Sequence, residues 1–212
     1  MRKNTVKTKN EGGRYSLKCS RLWGVLLFFI LLLIDMVTKV VADAYFSAAG
    51  APERIDIIPG WLGLCITYNR GISYGMGSSA PTWAKILVIA ATGVMMIAIA
   101  ILYFKLDKTK GFMRTSLVFV VAGGIGNFID RVYYKVWEAN GAYGVRDMVD
   151  LSRFGFAVCN FADFFICTGA VMLVLSLLFF DKDALCPVGK YKKLAKAEAA
   201  EKERAEAEET NG

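Results

Sequence analysis

Histidine is absent from this chain of 212 residues. Without an imidazole there is no Ser-His-Asp or Cys-His nucleophile system and no His-ligated zinc. Cysteine is present five times, an odd number without metal-ligand spacing. Because Cys65, Cys159 and Cys167 lie in or near apolar segments, buried free thiols are expected rather than a zinc site or a disulfide framework. Internal repeats are lacking too. Chemistry, if the chain performs any, is left to carboxylates or to a Ser-Lys pair.

What the chain has in abundance is hydrocarbon. Hydrophobic residues make up 55% of it, too many for an ordinary soluble domain, so a membrane protein is indicated. Four segments reach the roughly 20 residues that a bilayer requires, near 22–42, 84–104, 115–132 and 161–180. The fold class expected is therefore an all-α membrane protein of four transmembrane helices. The first run follows a basic leader like a signal peptide, but the nearest small-residue site, Ser47-Ala48-Ala49, lies far beyond it, so an uncleaved span is expected. Cys19 precedes that run, unlike the layout of a lipoprotein precursor.

Formal net charge is +7. The cations collect beside the apolar runs, which speaks for membrane flanks and against nucleic acid. Arg2 to Arg21, Lys105 to Arg114 and Lys182 to Lys193 carry the excess and belong inside by the positive-inside rule. Both termini are then cytoplasmic, and two loops, about 43–83 and 133–160, face outward. The division expected is a basic leader 1–21, a membrane domain 22–181 and a charged tail 182–212, the tail a solvated helix or disordered.

The outer loops are more than linkers. Leu62, Leu64, Ile66 and Tyr68 alternate with small or polar residues after a Pro59-Gly60 turn, and VRDMVDL is short and strand-like. A small β-sheet resting on the membrane surface is expected.

Polar residues inside the spans gather at one depth. At 1.5 Å per helical residue, Asp35 lies about 20 Å above the inner end of the first span with Lys39 one turn higher, and Asn127, Asp130 and Arg131 lie about 18 to 24 Å up the third. Asn160 and Asp163 open the fourth from outside. Each such group costs roughly 2.5 to 3.5 kcal/mol to insert, and any one alone is compatible with a structural pair or an interfacial anchor. Convergence from three spans argues for a site. Two acids held close, such as Asp150 and Asp163, share a proton, so that one polarises a carbonyl while the other activates water. That chemistry needs no metal and no cofactor.

The motifs Asp35-Met-Val-Thr-Lys39, Asn69-Arg-Gly71 with the following ISYGM, GGIGNFIDRV in the third span, MVDL around Asp150 and Asn160-Phe-Ala-Asp163 occur in this order. Together they resemble the lipoprotein signal peptidases (signal peptidase II), bacterial membrane aspartic peptidases, from the first span to the fourth. The resemblance implies Asp150 and Asp163 as catalytic dyad, with Asp35, Lys39, Asn69, Gly71, Asn127, Asp130, Arg131 and Asn160 binding substrate or bracing the site. It implies diacylglyceryl-modified prolipoproteins as substrates, cut before the lipidated cysteine, membrane lipid as surroundings, a monomer, and a place in the bacterial cytoplasmic (inner) membrane with the site toward its outer face. Asp147 is the alternative to Asp150, which is preferred because Met148-Val149 and Leu151 match the family's apolar setting. The chain departs from the pattern at Tyr74, at Val158-Cys159 and in the long stretch YYKVWEANGAYGVRD.

Two other classes fit parts of the sequence. A proton- or ion-coupled transporter also places acids in the membrane, but the inner halves of these spans offer no polar lining. A Ser-Lys protease needs Ser73, Ser78 or Ser79 beside Lys85, and nothing else supports that pairing. A non-catalytic subunit leaves the convergence unexplained.

Overall fold

The structure, a computed structural model, describes residues 11–71, 76–107, 110–138, 141, 143–181 and 183–210. The leader before residue 11, Ser73, Tyr74, Lys108, Asn140 and Lys182 lie outside the described residues. Helices α1 (Glu11–Phe46), α2 (Thr82–Lys105), α3 (Gly111–Tyr133), α4 (Phe161–Leu178) and α5 (Gly189–Thr210) alternate with strands β1 (Arg54–Ile58), β2 (Leu62–Asn69) and β3 (Val145–Asp150). Among the described residues, four helical stretches are long and apolar enough to cross a membrane: Arg21–Phe46, Thr82–Lys105, Gly111–Tyr133 and Phe161–Leu178. The expected spans are all present. The first runs one turn further than expected, and the fourth stops at Leu178, where Phe179 caps it.

Three hydroxyls within the spans bond their own helix. Thr38 donates to the Ile34 carbonyl at 2.7 Å, Thr92 to Val88 at 2.8 Å and Ser116 to Met113 at 2.6 Å. Each is thereby satisfied without water. Outward faces are apolar, with Phe29, Leu33, Val94, Ile97 and Val174 exposed where lipid would lie.

Helix α3 is the centre of the bundle, and its small residues decide how close α4 comes. A Cβ on Gly123 would strike the Ala162 carbonyl oxygen, and one on Gly169 would lie 2.8 Å from the Ser116 carbonyl. Two glycines facing opposite ways thus let the backbones meet. Deeper in, Leu31, Tyr103, Leu117, Val118 and Ala122 join α1, α2 and α3 in an apolar core. At the end opposite the sheet, Lys110 pairs with Asp181 at 3.1 Å and Asp183 at 2.9 Å.

The three strands form one antiparallel sheet in the order β1-β2-β3. The β1–β2 turn holds Gly60 at φ +77, a left-handed position that suits glycine, and Trp61 N–H closes on the Ile58 carbonyl at 2.9 Å. Strand β2 carries an extra residue, since Leu64 opposes Val149 while Thr67 opposes Asp147. All six residues of β3 are buried. The chain then turns through Ser152–Phe154 and Gly155 (φ +78) and returns, so that Cys159 bridges back to Val149, its carbonyl accepting from Met148 N–H at 2.9 Å and Val149 N–H at 2.8 Å. This return lays the start of α4 beside β3.

Candidate active site

Lys39 sits at the centre of the buried polar layer. Its ammonium lies 2.8 Å from Asp35, 3.6 Å from Asp130 and 2.9 Å from the side-chain oxygen of Asn127, with Lys39, Asp35 and Asp130 fully buried. The cation thus donates to an amide oxygen and is ion-paired with two acids, which offsets the cost of burying its charge. Asp35 in turn accepts the Ala162 N–H at 2.9 Å, placing its charge at the N-terminus of α4. Gly126 makes that possible, because a Cβ there would overlap the Asp35 carboxylate.

Asn160 caps α4. Its side chain accepts from Asp163 N–H at 3.1 Å while Asp163 accepts from Asn160 N–H at 3.1 Å, a reciprocal capping box. Asn127 donates to the other Asp163 oxygen at 2.8 Å. The Asn160 amide group donates to Asn127 at 3.0 Å and to Asp147 at 2.6 Å. Asp147 and Asp163 are therefore joined through two asparagines from α3 and α4.

Asp150 is elsewhere. Asp147 and Asp150 are three residues apart on a regular strand and so point to opposite faces of the sheet. Asp150 accepts Ser152 N–H at 2.8 Å and is ion-paired with Arg54 of β1. The hydrogen bonds from Ser152, with Arg54 beside it, hold its carboxyl below the usual carboxylate range. Asp147 has the opposite surroundings: burial, then the nearby Asp163 charge, pushes its carboxyl up to about 7, against the donors Asn160 and Asn69. Geometry thus places Asp147, the alternative weighed from sequence, beside Asp163 in the position expected of Asp150.

The remaining residues frame this pair. Asn69 accepts the Gly71 N–H at 2.9 Å, a local turn that shapes the strand exit, and Arg131 donates to the Gly71 carbonyl at 3.4 Å. Asp130, expected at the site, instead binds Arg146: Nη2 reaches its Oδ1 at 2.7 Å, and Nε and the backbone N–H reach Oδ2 at 3.3 and 3.0 Å. Arg146 also lies 3.8 Å from Asp43, which accepts from the Tyr68 and Tyr134 hydroxyls. Sequence reasoning missed Arg146, Asp43 and Arg54. Cys159 adjoins the acids, but burial and their charges push its thiol up to about 12, so it stays protonated and is no nucleophile at neutral pH.

Between the sheet and the bundle lies an apolar cavity of about 940 Å³. Val37 and Val41 of α1, Ile55 and Leu64 of the sheet, and Phe161 and Phe164 of α4 are among its walls. Met148, next to Asp147 in the chain, is also a wall residue, as is Phe164, next to Asp163, so the cavity adjoins the acids.

Residues 27–179 match the family described as signal peptidase (SPase) II. This chain belongs to the signal peptidase II family. It is accordingly an aspartic peptidase of the membrane, and the transporter alternative is set aside. A lipoprotein signal peptidase of Fusobacterium nucleatum is 30% identical over 160 residues, covering 74% of this chain and 87% of that protein. One from Bifidobacterium longum subsp. infantis is 35% identical over 147 residues, covering 69% and 73%. A solved bacterial membrane enzyme superposes with a TM-score of 0.57 at 27% identity, covering 73% of this chain and 87% of that one.

Proposed function

We propose that Asp147 and Asp163 are the catalytic dyad of this peptidase, and that its substrates are diacylglyceryl-modified prolipoproteins cut before the lipidated cysteine. The observation that carries the assignment is the Asp147–Asn160–Asn127–Asp163 hydrogen-bond chain. Asp163, with an N–H donor on each oxygen, acts as the base; Asp147, whose carboxyl is pushed up to about 7, supplies the acid.

Water held between them loses a proton to Asp163 as its oxygen attacks the scissile carbonyl carbon, while Asp147 gives its proton to the carbonyl oxygen. A gem-diol results. Asp163 then passes its proton to the amide nitrogen, the C–N bond breaks, and a diol hydroxyl returns a proton to Asp147. Both groups end as they began. Arg131 and the turn at Asn69 and Gly71 steady the substrate backbone, while Lys39 with Asp35 fixes the base from beneath through Asn127 and the start of α4.

The lipid part enters the apolar cavity beside the acids. Its walls suit acyl chains, and its residues come from helices whose outer faces are themselves apolar. Basic flanks at Arg21, Lys105, Lys110 and Arg114 support cytoplasmic termini and a site toward the outer face. The direct test is mass-spectrometric: purified protein in lipid nanodiscs should cut a diacylglyceryl-modified prolipopeptide on the N-terminal side of its cysteine and leave the unlipidated peptide intact. Equal cleavage of both would remove the lipid from the reading.

A further inference from the structure

The sheet has two unlike faces. Ile55, Leu62, Leu64 and Val149 line the apolar cavity. On the other face, Arg54, Asp56, Gly63 and Asp150 follow one another across the three strands, Gly63 opposing Asp56 on one side and Asp150 on the other. The middle strand therefore offers no side chain there. A Cβ on Gly63 would lie 2.6 Å from Arg54 Nε, so the glycine leaves the channel through which the guanidinium crosses β2. Arg54 binds Asp56 at 2.9 Å on its own strand and reaches Asp150 on β3.

Asp150 is tied at its other oxygen to the turn that leads to α4, through Ser152 N–H. Phe154 in that turn meets Trp61 at the tip of the β1–β2 hairpin, ring centroids 5.4 Å apart and nearly perpendicular. The hairpin is thus fastened twice to the β3–α4 connection, once by charge and once by an aromatic edge. A strand at the edge of a three-stranded sheet has hydrogen bonds on one side only, so such cross-sheet ties decide where it rests.

We infer that Arg54 and Asp150 are a positioning pair for the lipid part of the substrate: their bridge over Gly63 holds the β1–β2 hairpin down as the roof of the apolar cavity and so sets how well long acyl chains are held. The inference rests on the proposed lipid-bearing substrate. Neither residue touches the scissile bond. Breaking the bridge loosens the roof and weakens binding of the chains, while the acids, anchored to α3 and α4, keep their geometry.

The test compares two synthetic diacylglyceryl prolipopeptides, one with long and one with short acyl chains, on full-length protein in nanodiscs. Arg54→Ala and Asp150→Asn should raise KM for the long-chain peptide about tenfold, the loss of one charge-assisted bridge, with kcat and the pH profile unchanged. KM for the short-chain peptide should move much less. Arg54→Asp combined with Asp150→Arg should restore the long-chain KM, which keeps the test decisive should a single variant fold poorly. Equal KM changes for both peptides, or a swap that restores nothing, would overturn the inference while leaving the peptidase reading intact. Loss of kcat in Asp150→Asn would overturn both this role and the dyad assignment. Failure of the wild type to distinguish lipidated from unlipidated peptide would instead strike the substrate reading.

Discussion

Asn160 gives its side-chain amide to Asp147 at 2.6 Å while its backbone N–H goes to Asp163 at 3.1 Å, so one residue holds both acids. The dyad prediction follows from that. Asp147→Asn and Asp163→Asn should each lower kcat by about 10²- to 10⁴-fold or more, the worth of a positioned acid or base, with membrane insertion unchanged. The double variant should be no worse than either single, because residues acting as a unit are not additive. Normal kcat in Asp147→Asn would refute the assignment.

The pH dependence has two parts with definite signs. The acid form of Asp147 is needed, so kcat/KM should fall on the alkaline side with an apparent value near 7. Its folded value is raised above the unfolded carboxylate value of about 3.9, so its contribution to stability is fully present below that value and lost as pH climbs to about 7. Asp147→Asn should therefore raise Tm in detergent at pH 8 more than at pH 5. An equal change at both would show that Asp147 is not held protonated.

Removing Lys39 strands two acids. Lys39→Met leaves Asp35 and Asp130 buried without their shared cation, although Arg146 remains on Asp130, and should cost about 3 to 5 kcal/mol. Lys39→Met with Asp35→Leu should recover part of that, read by thermal unfolding in detergent. A single variant as stable as the wild type would mean the layer is more hydrated than its burial indicates.

Among the described residues, no three His, Cys, Asp or Glu side chains gather as a metal site would require. The mechanism proposed for Asp147 and Asp163 runs on proton transfer between the two acids. Cleavage should survive excess EDTA, and loss of activity restored by a divalent ion would make the two acids ligands instead.

Much of this was legible beforehand, and the failures have physical causes. The spans follow from hydrophobic run length, and the polar layer from counting rise per residue. Strand β2 betrayed itself by alternation. Strand β3 could not, because burial on both faces removes the phase that tells which residues look which way, and Asp150 was preferred over Asp147 on apolar neighbours shared by both. One signal did exist: Asn160 and Asp163 stand at capping-box spacing, which fixes where α4 starts. The bridges Arg54–Asp150 and Arg146–Asp130 join residues far apart in sequence, with no local pattern to announce them.

A reporter active only in the cytoplasm should be silent when fused after Asn140 and active after Lys190. The reverse would put the acids in the wrong compartment.

The capping box at α4 has a consequence for the making of the enzyme. The carboxylate proposed as the base is also what closes the first turn of its own helix, and the Ala162 N–H in that turn is held by Asp35 of the first span. A newly inserted chain whose last span has not yet docked can close that turn but lacks the Asn127 and Asp35 contacts that hold the carboxylate in line. On the proposed assignment, proteolytic competence therefore arrives only when the fourth span packs against the first and third.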